Sequence, residues 1–458
     1  MSTLRRALVA LLVVAAAAGV HGTAATASQK TPPPQPNIVL VLTDDQVEGT
    51  MDAMPAVHSL IRQQGVRMSN AVIPTSTCCP SRSALLTGRY ARSTGVYTNT
   101  GPHGGWGAFK GFESQTIAVA LDQAGYRTGL FGKYMNGWVS TPESYVPDGW
   151  DEFMAIRDPS GSQELGAGAY YNYFLTGTQP TQWHAREPAD YSTDVLAGLA
   201  VDFVDTTDPG TPLFLMLSTS GPHRKFATAP RHIGLWHDEP LKPSVTQLTE
   251  PRPAFMPDTL EDYKSTQRDL RKQHEALMSV DEAVADVVDA LGARASNTLF
   301  IYMSDNGLQL GEHGLRDKYV PYSGSTDVPL LLRWDGVLPA HATVNKVMTN
   351  ADVAATIAEA AGVTLAAPDG RSYWSSGGRG VVLEAIAAAG RPAYCGWRSK
   401  RWLFVEWSNN KGRELYDYQN DPYELHNLAR DRDYWNRVAK LRHKTVQACS
   451  PVPPGFTW

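Results

Sequence analysis

The chain has 458 residues, of which 42% are hydrophobic, enough for one large core with a smaller unit appended. Its formal net charge of −5 argues against a nucleic-acid-binding protein, which would need a broad basic face. The 31 prolines, 12 tryptophans and 19 tyrosines point to a loop-rich chain with aromatic surfaces, which carbohydrate binding and ordinary packing both use.

Arg5 and Arg6 precede an apolar run over residues 7–20, and Ala25-Thr26-Ala27 precedes Ser28. A charged start, an apolar middle and a small-residue cleavage site predict a signal peptide over 1–27, hence a secreted or extracytoplasmic protein. The run is short and alanine-rich for a membrane span, so none is expected after cleavage; a retained anchor is the alternative. Residues 28–36, with Pro32-Pro33-Pro34, read as an extended linker.

Residues 37–43 form a continuous apolar run without alternation, the pattern of a strand buried on both faces of a parallel sheet. It ends in Asp44-Asp45, at the carboxyl edge where ligands collect in open α/β sheets. A helical period follows over 54–64, then a strand over 66–73. That strand leads into Cys78-Cys79-Pro80-Ser81-Arg82 and a short apolar segment stopped by Gly88. Pro80 suits the first position of a helix and Gly88 its exit. Cys78 would then sit just before a helix N-terminus, where unpaired N–H groups favour negative charge, with Arg82 one turn on. The plain alternative is a helix start with a buried cysteine pair and a surface arginine.

A helix is predicted over 114–124 and a strand over 128–131, ending at Gly132-Lys133. A long irregular region with an aromatic run over 170–174 comes next, then a helix over 191–204. The strand expected over 212–218 leads to Gly221-Pro222-His223, and residues 226–262 read as a proline-rich excursion. The longest helical pattern covers 270–291. A strand over 297–304 ends in Asp305-Asn306-Gly307, a further strand covers 329–333, and a helix covers 352–361. This alternation predicts an α/β domain over 37–365 with a mostly parallel sheet. After about residue 365 the pattern changes to short antiparallel strands over 402–407 and 414–418, closed by a helix over 433–445, a subdomain over 366–458. Cys395 and Cys449 suit a disulfide in an exported protein, two separate thiols being the alternative.

Asp44, Asp45, Asp305 and Asn306 offer hard oxygen ligands, which suit Ca²⁺ or Mg²⁺ and not Zn²⁺. Three carboxylates without a cation would repel one another. Ca²⁺ is favoured because it accepts many protein oxygens, whereas Mg²⁺ keeps its waters. Each strand-end group alone has a plain explanation: a turn, a solvated lysine, a loop histidine. Their arrival at one edge of one sheet is what argues for a site.

Cys78-x-Pro80-Ser81-Arg82 followed by Leu86-Thr87-Gly88-Arg89 resembles the motif of the type I sulfatases. The resemblance covers nearly all of the mature chain. It implies an alkaline-phosphatase-like fold, with a mixed, mostly parallel sheet flanked by helices and a small C-terminal antiparallel sheet. It also implies that a formylglycine-generating enzyme oxidises Cys78 to formylglycine. By the same resemblance, Asp44, Asp45, Asp305 and Asn306, with an oxygen of the modified Cys78, match metal ligands. Arg82, Lys133, His223 and Lys318 match the sulfate-binding and acid/base positions. The implied reaction is attack of a hydrated formylglycine hydroxyl on sulfur, in-line departure of the alcohol, then expulsion of sulfate as the second hydroxyl loses its proton. His223 is the candidate general acid and Lys318 its competitor.

Cys78-Cys79, Gly132-Lys133-Tyr134 with Asn136, and the aromatics over 170–174 look closest to N-acetylglucosamine-6-sulfatases and extracellular heparan 6-O-sulfatases. The expected partner is therefore a sulfated carbohydrate. Two departures stand out. Met135 replaces a histidine common in arylsulfatases, and Tyr322-Ser323-Gly324-Ser325 lacks the acidic residues of the glucosamine group. The second bears on sugar specificity and not on the chemistry. The rival readings are a phosphate or phosphonate ester hydrolase on the same fold, and a non-catalytic Ca²⁺-bearing glycan-binding protein.

Overall fold

The first apolar run becomes the central strand β1 (Asn37–Thr43), buried along its whole length. The computed structural model describes residues 35–157 and 169–458, so the expected signal peptide and residues 28–34 of the linker lie outside the described residues. In chain order there follow β2 (Val66–Val72), β3 (Arg127–Gly132), β4 (Glu152–Arg157), β5 (Tyr173–Gly177) and β6 (Gln182–His184). Then come β7 (Leu213–Ser218), β8 (Thr298–Ser304), β9 (Leu330–Arg333) and β10 (Ala342–Thr349). These ten form one sheet in the order β10-β2-β9-β8-β1-β7-β3-β4-β5-β6.

Strand β1 pairs in parallel with both β7 and β8, and β3 pairs in parallel with β7. Their carboxyl ends therefore reach one edge together. Because side chains alternate along a strand, β1 feeds two cores. Ile38, Leu40 and Leu42 pack with Leu85, Leu86, Val353 and Ile357 from the Cys78–Thr87 and Asn350–Ala361 helices. Val39 and Val41 pack on the other face with Leu196, Phe203, Leu277 and Val284 from the Ser192–Thr206 and Tyr263–Leu291 helices. Burial on both faces is why the run shows no alternation.

The sheet is mixed. Strand β9 is antiparallel to both β8 and β2, and β4 to β6 close the far edge as an antiparallel set. The region after Lys133 is thus not irregular throughout, as its composition suggested. The Tyr263–Leu291 helix starts seven residues before residue 270, because Asp262 caps it by accepting from the Ser265 N–H at 2.8 Å. Its first turns are polar and carry no apolar period. The helix expected over 114–124 is cut at Thr116, whose hydroxyl caps a shorter helix over Ile117–Asp122.

The second sheet is antiparallel throughout, in the order β11 (Val381–Ala385), β12 (Tyr394–Arg398), β13 (Trp402–Trp407) and β14 (Gly412–Asp417). The Trp435–Ala448 helix packs on it, and a Cys395–Cys449 disulfide joins β12 to that helix's end. Strand β11 touches the large sheet's loops: the Glu384 N–H donates to the Pro74 carbonyl at 3.0 Å, and its carboxylate pairs with Arg92. Residues 35–458 form one compact unit. Among the described residues no helix is long and apolar enough to cross a membrane.

Candidate active site

The Cys78–Thr87 helix is buried at every position. Thr77 is its extended N-cap and Gly88 leaves it in the left-handed conformation (φ 71°). Cys78 is therefore the first helical residue, and Pro80 sits third, not first. That place costs nothing more, since the first four N–H groups of a helix lack intrahelical partners anyway. The Cys79 N–H is met instead by Asn99 Oδ1 at 2.9 Å.

The segments that follow β1, β3, β7 and β8 supply the rest. Asp45 directly follows Asp44 with φ 62°, a left-handed backbone that Asp tolerates better than most residues. Its N–H donates to Asp305 Oδ1 at 3.3 Å, and the Asp305 N–H donates to the Thr43 carbonyl at 3.0 Å. One ligand atom each from Asp44, Asp45, Cys78 and Asp305 lie within 4.8 Å of one another, all buried. Asn306 joins them, donating from Nδ2 to Asp45 Oδ1 at 2.6 Å.

Three buried cations face these carboxylates. Lys133 Nζ pairs with Asp44 Oδ2 and stands 4.0 Å from Asp305 Oδ2. Lys318 Nζ pairs with Asp45 and donates to Cys78 Sγ at 2.9 Å. Arg82 Nε donates to Asp305 Oδ2 at 2.8 Å, and its Nη1 to the Lys133 carbonyl at 2.8 Å and Ser218 Oγ at 2.7 Å. His223 Nε2 is 3.5 Å from Asp45 Oδ2, and its Nδ1 faces the Arg224 carbonyl at 3.0 Å. The Tyr170 hydroxyl fixes that loop by donating to the His223 carbonyl at 2.9 Å. Every residue singled out in the sequence for catalysis or metal binding thus meets at one place.

Burial would raise the Asp44 and Asp45 carboxyls, but Lys133 beside the first and Lys318 beside the second hold both below the usual carboxylate range. Burial lowers His223 despite those carboxylates. Burial also pushes the Cys78 thiol up to about 12, against the pull of Lys133 and Lys318. A thiol held protonated at neutral pH is a poor nucleophile.

The carboxylates do not need a metal ion to escape mutual repulsion, contrary to the charge argument from sequence, because Arg82, Lys133 and Lys318 already face them. The fit to a hard cation rests on other features. Apart from the Cys78 sulfur the donors are oxygens, and Asn306 Oδ1 is buried without a hydrogen-bond partner among the described residues. Arg82 likewise spends Nε and Nη1 on the protein and keeps a buried, unpartnered Nη2. An anionic group entering here would meet that Nη2, two ammonium groups and an imidazole.

Sequence reading passed over three supports. Ser218 Oγ ties Arg82 to the end of β3, Asn99 holds the helix start, and Asn350 Nδ2 donates to both the carbonyl and the hydroxyl of Ser81 at 2.9 Å. They are isolated polar residues in no spacing pattern; only contact in the fold gives them a part.

A family model described as Sulfatase matches residues 36–363. The chain is 33% identical over 366 residues to an extracellular sulfatase SULF-1 homolog of Drosophila melanogaster, covering 74% of this chain and 31% of that protein. It is 32% identical over 375 residues to human N-acetylglucosamine-6-sulfatase, covering 78% of this chain and 65% of the relative. The chain thus spans less than two thirds of either relative's length. The solved structure of BT4656 in complex with its substrate D-glucosamine-2-N,6-O-disulfate superposes with a TM-score of 0.77 at 20% identity, covering 91% of this chain and 98% of that one.

Proposed function

This chain belongs to the sulfatase family, and from that premise we propose that it hydrolyses sulfate esters of a sulfated sugar or glycan, of the N-acetylglucosamine 6-sulfate type. The observation that carries the reading is the placement of Cys78: first residue of a buried helix, beside three carboxylates, with a lysine on its sulfur. A buried thiol kept protonated there has no evident use as it stands. Its conversion to formylglycine by a formylglycine-generating enzyme would give it one. Two relatives carry sulfatase names, and the similar solved structure holds a 6-O-sulfated glucosamine. The substrate class follows those names, and the expected leader over 1–27 places the work outside the cytoplasm.

Asp44, Asp45, Asp305 and Asn306 would hold Ca²⁺ together with an oxygen of the modified residue 78. When bound, the ion supplies positive charge beside residue 78. The chain's own groups do the rest. Arg82 Nη2, Lys133 and Lys318 hold the sulfate oxygens and stabilise charge as it moves toward the leaving oxygen. A sugar alkoxide leaves poorly without a proton. His223 Nε2 points into the cluster from a partly exposed loop, so it can deliver that proton and recover one from water.

The test joins mass and turnover. Protein made in its native host should carry an aldehyde at residue 78 and release sulfate from N-acetylglucosamine 6-sulfate, and Cys78→Ala should abolish release. His223→Ala should cut turnover of the sugar sulfate by about 10²–10⁴-fold while an activated aryl sulfate loses far less. An unmodified cysteine at 78 sinks the reading, and equal losses on both esters remove His223 from the acid role.

A further inference from the structure

The chain is acidic overall, yet the charged residues that line one groove are all cations. It measures about 520 Å³ and lies between β10, the β12–β13 turn and the Trp435–Ala448 helix. The helix contributes Arg437, Lys440 and Lys444, spaced i, i+3, i+7 and therefore on one face, a row about 10 Å long. The turn adds Lys400 and Arg401, and Lys346 and Arg379 close the opposite wall. No carboxylate lines it. Past Trp402 it continues into a hollow of about 400 Å³ that shares Arg401, Arg437 and Lys440 and includes one acid, Asp433.

Two of these cations are already satisfied: Arg379 pairs with Asp352 and Arg401 with Asp417. Lys400, Arg437, Lys440 and Lys444 are exposed and have no carboxylate partner among the described residues. Like charges at i, i+3 and i, i+4 on a helix repel, so the row weakens the bare protein. Grouped cations in a cleft also focus the field on an incoming anion. The charges of the groove are distributed along a helix face of about 10 Å and across the facing turn, which suits a linear polyanion better than a single small ion.

The aromatic groups argue against single-stranded nucleic acid. Arg401 and Arg437 each stand 4.9 Å from the Trp402 ring centroid, and Lys444 stands 5.6 Å from that of Trp397. Those rings hold cations in place and are not free as stacking platforms, which single-stranded nucleic acid requires. Sulfate groups need only the guanidinium and ammonium donors. We propose that this groove binds a linear polysulfated glycan, at a place that shares no residue with the Cys78 cluster. The choice of a sulfated polymer rests on the proposed sulfatase reading; the existence of a polyanion groove does not.

The experiment uses the full chain carrying Cys78→Ala and a fluorescent heparin-derived octasaccharide, titrated in excess monosaccharide sulfate. Adding Lys400→Ala, Arg437→Ala, Lys440→Ala and Lys444→Ala should weaken binding by about tenfold or more and flatten its salt dependence. In the otherwise native enzyme the same four changes should leave turnover of a monosaccharide sulfate unchanged, which shows that folding is intact. Equal octasaccharide affinity with and without the four changes overturns the proposal. So does a thymidine oligonucleotide of equal charge bound as tightly through the same four residues. If no sulfate ester is turned over but groove-dependent binding persists, the catalytic reading fails and this one stands.

Discussion

Asn306 is the residue that most favours a cation in this cluster. Its Nδ2 is engaged by Asp45 and its Oδ1 is buried with no partner among the described residues. An unsatisfied buried acceptor costs roughly 1–3 kcal/mol, and beside three carboxylates a hard cation is a group that would satisfy it. Since Arg82, Lys133 and Lys318 already offset the carboxylates, the chain should stay folded without the ion and gain stability with it. EDTA-stripped protein should therefore melt at a higher temperature once Ca²⁺ is added, by the equivalent of about 2.7 kcal/mol at a hundredfold excess over Kd. Asn306→Ala should shrink that gain, and Mg²⁺ should give a smaller one. A melting temperature indifferent to Ca²⁺ would remove the metal assignment.

At the scale of elements, the site depends on how strands end. Gly132 closes β3 with φ 117°, and a Cβ there would lie 2.0 Å from the Ser218 carbonyl oxygen. That same oxygen accepts from the Lys133 N–H at 2.8 Å. Gly132→Ala must part β3 from β7 or move Lys133 off Asp44. The expected result in chemical denaturation is a loss of more than about 1–3 kcal/mol, with sulfate release falling further than stability alone explains. Wild-type turnover from a folded Gly132→Ala protein would show that Lys133 needs no such turn. Strand β11 carries a second dependence. Burial raises the Glu384 carboxyl to about 7 despite Arg92 beside it. Between its unfolded value near 4.5 and about 7, the folded state holds the extra proton, so stability falls as pH rises across that window. The slope from this group is at most about 1.4 kcal/mol per pH unit. Glu384→Gln, which cannot ionise, should lose that slope, so the variant gains on the wild type between pH 5 and pH 7 in urea midpoints. Parallel curves would refute it.

Across the whole molecule, legibility followed burial. Strands β1, β7 and β8 read directly from sequence because both faces are buried, which leaves unbroken apolar runs. Strand β10 has no buried residue before Val347 and carries Asn345 and Lys346 in its middle, and β6 has no buried residue, so neither shows an apolar run. Most of the catalytic groups were legible because they follow a readable strand or belong to the motif helix, whereas Lys318, 14 residues past β8, came only from the family resemblance. Ser218, Asn99 and Asn350 were not legible, because their partners are more than 15 residues away in sequence. The net charge likewise hid the basic groove, since charge summed over a chain says nothing of its grouping. That groove depends on the Cys395–Cys449 bridge, which closes a separation of 54 residues and ties β12 to the end of the helix bearing Arg437, Lys440 and Lys444. Loop-closure entropy for that length is worth about 4 kcal/mol in the chain-entropy account. The double change Cys395→Ala and Cys449→Ala should lower unfolding stability by about 2–4 kcal/mol. Because the bridge is in the second sheet and the Cys78 cluster on the first, octasaccharide affinity should fall before monosaccharide turnover does. Turnover lost in step with affinity would mean that the two sheets loosen as one.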